Sequence, residues 1–139
     1  MKNVVITVIV GFIAGLVISG ILFDVIKYVG KSFNRASVSW NISKAEKSYS
    51  EGRFSDSVLI YKKVLPKISE DNKILLAKTK NNLGLSLYKN YLTTQNKEEI
   101  TEAMDLMQDA ENLYLEAGNK ELAEQTSQNL VNAGLSYQP

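Results

Sequence analysis

Ala45 to Leu65 reads AEKSYSEGRFSDSVLIYKKVL. Ala45 and Tyr49 belong to one helical run, Gly52 breaks it, and Val58, Tyr61, Val64 and Leu65 give the next run an apolar face. A glycine between two such runs stops one helix and lets the chain turn into another. Ser55 is placed to cap the second helix, and Phe54 and Leu59 occupy the two positions of a hydrophobic staple. Pro66 then kinks or ends it, because it lacks an amide hydrogen and crowds the preceding turn. The stretch therefore predicts a pair of helices joined by a tight turn.

The same reading extends in both directions. A first helix is expected over residues 38–50. Ser69 to Asn72 forms a turn in which Asp71 or Asn72 caps a third helix, whose core face is Leu75, Leu76, Thr79, Leu83, Leu87 and Tyr91. Leu92 to Asn96 reads as a loop, and Asn96 with Glu99 forms a capping-box pattern for a fourth helix. The stripe of that helix is Ile100, Ala103, Met104, Met107, Ala110, Leu113 and Tyr114, and Gly118-Asn119 ends it. A fifth helix is expected over residues 120–136, with Leu122, Ala123, Leu130 and Ala133 inward. Among these residues no stretch alternates apolar and polar over the length of a strand, so the fold class is all-α.

The N-terminus has a different composition. Val4 to Phe23, VVITVIVGFIAGLVISGILF, holds no charge. At about 1.5 Å per residue it makes roughly 30 Å of helix, the thickness of a bilayer core. A cleaved secretory signal is the competing reading, but the run is longer than the usual apolar region and no A-x-A-like site follows it. Phe23 and Tyr28 suit headgroup depth, and Lys27 and Lys31 can snorkel to it. Lys27, Lys31 and Arg35 after the run outnumber Lys2 before it, which favours a cytoplasmic or equivalent side for the C-terminal domain. Gly11, Gly15 and Ser19 form a small-xxx-small face for helix–helix contact, self-association being one form of it. The expected organisation is a transmembrane helix with its juxtamembrane extension over 1–35 and a helical domain over 36–139.

The helical pairs repeat. Asn82-Leu83-Gly84-Leu85-Ser86-Leu87-Tyr88 recurs as Asn132-Ala133-Gly134-Leu135-Ser136-Tyr137, and Ala45 with Tyr49 and Gly52-Arg53-Phe54 is an earlier copy of the design. In each, a small residue sits where a neighbouring helix comes close. These residues resemble the tetratricopeptide repeat (TPR). Ala45, Tyr49, Gly52, Phe54, Ser57, Tyr61, Val64 and Leu65 fall on or beside the positions that family uses. The second copy has Leu83, Gly84 and Leu87, then Ala103, Met107 and Ala110 after an insertion of about seven residues. Ala133, Gly134 and Tyr137 make a single capping helix. The second copy departs from the family in its long inter-helix loop, and no proline stands at the usual final position.

The resemblance implies a short array of about two helical pairs plus a cap, with a groove lined by the first helix of each pair. Carried over by position, the groove residues are Ile42, Glu46, Tyr49, Ser50, Asn81, Leu85, Tyr88 and Lys89. Tyr49 and Tyr88 are the expected anchors, with helix-interface roles as the other reading of each. Family members that clamp a C-terminal carboxylate use Lys and Asn where this chain has Ile42 and Glu46, so that specialisation is not expected. Membrane-anchored TPR proteins of this layout are similar to assembly factors, including those for photosystem I, and to bacterial envelope chaperone partners.

Charge and composition narrow the function classes. The 139 residues carry a net charge of +1, which argues against nucleic acid as a partner. Residues 36–89 hold ten Lys/Arg and five Asp/Glu, whereas residues 90–139 hold two Lys and nine Asp/Glu. The basic half suits anionic headgroups and the acidic half a basic partner, with a solvated face as the alternative for each. The sequence has no Cys and no His, which removes thiolate metal sites, Cys nucleophiles and His-based triads. Asp105 and Asp109 share an exposed face, Glu98, Glu99 and Glu102 read as a solvated helix start, and no Gly-rich phosphate loop occurs. Neither an enzyme nor a cofactor or metal site is expected. The expected function is a membrane-anchored scaffold or assembly factor whose partners are membrane-associated proteins and, through residues 4–23, lipid. The alternatives are an accessory subunit held by its transmembrane helix and a self-associating scaffold.

Overall fold

A computed structural model describes residues 35–137. They form five α-helices: α1 over residues 35–50, α2 (Phe54–Val64), α3 (Lys73–Thr94), α4 (Lys97–Glu116) and α5 (Lys120–Ser136), with a 3-10 turn at Leu65–Lys67. No strand occurs among the described residues, so the chain is all-α there. No helix among them is long and apolar enough to cross a membrane. The expected span Val4–Phe23 and its Gly11, Gly15 and Ser19 face lie outside the described residues.

The turns follow from side-chain chemistry. Gly52 and Gly118 adopt φ of +75° and +74°, a region glycine enters without a Cβ penalty. After α4, Gly118 N–H donates to Leu115 O at 2.9 Å and Asn119 N–H to Tyr114 O at 2.9 Å. After α1, Gly52 donates to Tyr49 O at 3.0 Å and Arg53 to Ser48 O at 2.9 Å. Both are the Schellman arrangement, which satisfies carbonyls that the helix end leaves open. Asn72, Asn96 and Asn119 cap the three later helices, accepting from the amides of Leu75, Glu98 and Leu122. Pro66 lies in the 3-10 turn that ends α2.

Four local expectations are corrected. The second helix begins at Phe54 with Arg53 at the cap and no side-chain cap bond, so Ser55 does not cap it. That start also shifts the staple out of register, and Leu59 is exposed. The loop expected over Leu92–Asn96 shrinks to Gln95 and Asn96, because α3 continues to Thr94 and closes on Gln95 at φ +57°. The capping box is half-made: Asn96 caps Glu98, while the Glu99 carboxylate turns back to accept from Asn90 Nδ2 at 2.7 Å and Thr94 Oγ1 at 2.8 Å.

Cross-helix contacts arrange the helices in two layers. In one, Glu46 of α1 pairs with Lys78 of α3 at 3.0 Å, and Asn129 of α5 donates to Asn81 of α3 at 3.3 Å. In the other, Lys62 of α2 reaches Glu102 of α4 at 2.7 Å. Between the layers lie Ala45, Val58, Tyr61, Val64, Leu83, Leu87 and Ala103, continued toward α5 by Ile100, Met107, Tyr91 and Ala133. Small residues stand where backbones meet. Ala45 and Ser57 are fully buried at the α1–α2 contact, and an added Cβ on Gly84 would come within 2.9 Å of Ala103 O and Met107 Cγ. Lys73 and Lys80 bind Glu116 and Asp109 of α4, so part of the charge asymmetry is spent between elements. Such exposed pairs contribute roughly 0–1 kcal/mol each.

Candidate protein-binding surface

The surface between α1 and α5 is built on α3. Ile74, Lys78, Asn81, Leu85, Lys89 and Leu92 recur at spacings of three and four and stand on one side of the helix. Lys78 is held by Glu46 from α1, and Asn81 by Asn129 from α5, so the row is flanked by a helix on each side. Ile74 and Leu92, near its two ends, are 41% and 44% exposed. Leu85, at the centre, is partly buried against the α3–α4–α5 core. Lys89 places its ammonium 5.6 Å from the Tyr88 ring centroid. The row thus carries apolar side chains at its ends and centre, with charged or amide groups between them.

The residues carried over by resemblance divide. Glu46, Asn81, Leu85 and Lys89 come together on or beside this row. Ile42 does not: it is 8% exposed and packs in the core with Val38 and Ala45, a correction to its expected place on the groove. A short step along α1 turns it inward, because the helix packs on α2 and α3 together. Tyr49 is half-buried, edge-on to Phe54 with ring centroids 5.3 Å apart, and burial pushes its hydroxyl above the usual tyrosine range. Tyr88 is half-buried and its hydroxyl lies 2.8 Å from Ser136 Oγ on α5. Ser50 is exposed, and its hydroxyl donates to Lys47 O at 2.9 Å.

Ile74, Lys78, Leu92 and Asn129 escaped the sequence reading. The signal was present for three of them, since the seven-residue spacings from Leu85 to Leu92 and to Lys78 and the eleven-residue spacing to Ile74 mark one face. Asn129 carried none, as its contact is with a residue two helices away.

Among the described residues no three His, Cys, Asp or Glu side chains are grouped as a metal would need. Asp109 is paired with Lys80 of α3 at 2.7 Å. No family model, no curated protein and no solved structure matches the chain.

Proposed function

We propose that this chain is a non-enzymatic protein-interaction module of TPR-like helical pairs, anchored in a membrane by Val4–Phe23, which binds a segment of a partner along α3. It acts as a scaffold or assembly factor for a membrane protein complex. The observation that carries this reading is the α3 row itself: Ile74 and Leu92 are exposed near its ends and Leu85 is partly buried at its centre, with Lys78, Asn81 and Lys89 between them and α1 and α5 on either side. Apolar anchors interleaved with polar groups suit an extended or helical segment. Two-layer helix order and the small-residue pairs Ala45/Ser57 and Gly84/Ala103 support the repeat reading. Tyr49 and Tyr88 brace the array, leaving recognition to the row.

The test is a gentle-detergent purification of the tagged full chain from its host, beside the Ile74→Asp/Leu92→Asp variant. Both positions are exposed, so the fold survives the change. A substoichiometric membrane-associated companion that the variant loses supports the proposal. Its retention by a folded variant overturns the role of the row.

A second reading, a fixed accessory subunit, draws support from α5. Val131 and Leu135, one turn apart on that last helix, are exposed, Leu135 at 81%, as a permanent neighbour would require. A companion in constant 1:1 ratio that survives the α3 variant favours it.

A further inference from the structure

The outer face of α1 has a chemistry of its own. Trp40, Lys44 and Lys47 stand at i, i+4 and i+7, opposite the core residues Val38, Ile42 and Ala45. Ser39 and Ser43 lie beside them, also exposed. Trp40 is the chain's single tryptophan and is 73% exposed, second among the described large apolar side chains only to Leu135. Lys44 has no ion-pair partner among the described residues, and Lys47 meets Glu51 only at 3.9 Å. The one acid within residues 38–50 is Glu46, which is turned to Lys78 on α3. The face therefore joins an exposed indole to two ammonium groups, and the one carboxylate at its C-terminal end, Glu51, is held by Arg53 at 2.6 Å.

That combination fits a bilayer surface. An indole is most stable at headgroup level, where its ring meets acyl chains and its N–H meets water. Lysine stems lie along the same boundary while their ammonium groups pair with anionic headgroups. The rest of the chain points to the same occupant. Val4–Phe23 is uncharged and apolar, and residues 24–39 tether Trp40 to its end by at most roughly 55 Å of chain. A tether of that length holds the face at high local concentration above the membrane, so a weak contact suffices.

We infer that the Trp40, Lys44 and Lys47 face of α1 lies on a bilayer surface rich in anionic headgroups. This inference rests on the reading of Val4–Phe23 as a membrane span. The face is distinct from the α3 row, so lipid contact leaves that row open to a protein.

The single tryptophan makes the test direct. The full chain is reconstituted with phosphatidylcholine vesicles and with vesicles that also contain phosphatidylglycerol. Flotation reports membrane attachment; Trp40 emission, and its quenching by lipids brominated near the headgroup end of the acyl chain, reports the face. The expected result is flotation with both lipids, and a blue shift with bromine quenching that is larger in the anionic vesicles. High salt and the Lys44→Glu/Lys47→Glu variant should reverse the shift while flotation and circular dichroism stay unchanged. Flotation with water-like, unquenched Trp40 emission in anionic vesicles overturns this inference and leaves the span standing. A blue shift without bromine quenching that grows with the protein-to-lipid ratio overturns it in favour of a second copy of the chain. Failure to float with either lipid overturns the span and this inference together.

Discussion

Ser57 of α2 lies 3.0 Å from the carbonyl oxygen of Ala45 on α1, and its hydroxyl is also 3.0 Å from Ser86 Oγ on α3. Ser86 Oγ in turn lies 2.8 Å from Asn82 O. Two proton orders satisfy this chain: Ser86 to Ser57 to Ala45 O, or Ser57 to Ser86 to Asn82 O. Three helices thus meet on two fully buried hydroxyls.

Substitution at Ser57 should separate hydrogen bonding from space. Ser57→Ala removes the link and should cost about 1 kcal/mol, since Ser86 retains its bond to Asn82. Ser57→Leu must push helices apart and should cost more, roughly 1–3 kcal/mol. Urea unfolding of both variants checks the order. A Leu variant as stable as the Ala variant would show the contact to be loosely packed.

Gly84 and Gly134 occupy equivalent places in the sequence repeat, yet their surroundings differ. A Cβ on Gly84 meets Ala103 O and Met107 Cγ at 2.9 Å, whereas one on Gly134 meets nothing within 4 Å. Gly84→Ala should therefore destabilise by roughly 1–3 kcal/mol despite the better helix propensity of alanine. Gly134→Ala should stabilise by about 0.5–1 kcal/mol. Thermal unfolding of the pair measures the difference in sign.

Tyr61 is buried, and its hydroxyl is pushed up to about 12, chiefly by desolvation. Asn82 Nδ2 donates to it at 3.3 Å and opposes the shift, while Glu46 and Tyr49 add to it. The folded state therefore holds this proton more tightly than the unfolded chain. Its contribution is complete below pH 10 and is lost as pH rises toward about 12. Burial shifts Tyr49 and Tyr114 in the same direction. Urea midpoints should fall over this window, and Tyr61→Phe should flatten the fall.

The order of helices and their inward faces were legible because apolar periodicity, Gly118 and the asparagine caps all act locally. The stripe of α4 from Ile100 to Tyr114 is inward as its spacing indicates, with Ile100, Ala103, Met107, Ala110 and Tyr114 buried. Where a boundary depends on a distant or competing group, local signals mislead. Leu92 to Thr94 read as loop, but the Glu99 carboxylate accepts from Thr94 and Asn90 and helps hold the last turn of α3. Ser55 is a good cap in isolation, but the left-handed Gly52 turn starts α2 too early for it. The surface was half legible for the same reason. Leu85 and Lys89 share a face by spacing alone, whereas the turn of Tyr88 toward Ser136 depends on where α5 packs.

The bond between Tyr88 and Ser136, with Tyr91 donating to Ser136 O at 3.4 Å, fastens the end of α5 to α3. Tyr88→Phe keeps the ring and removes one hydroxyl, so global stability should fall by only about 0.5–1.5 kcal/mol. Amide hydrogen exchange should quicken most in the last turn of α5. Uniform quickening across all helices would show instead that Tyr88 supports the whole core.

The most direct test of the interaction-module account places a photo-crosslinking residue at Ile74 or Leu92 on the α3 row, and at Leu59 of α2 as a control. All three are exposed apolar positions, and Leu59 lies outside the row. With the full chain in its own membranes, the account predicts a discrete crosslinked protein from Ile74 and Leu92 and none from Leu59. Equal crosslinking from all three sites, or none from the row, would contradict it.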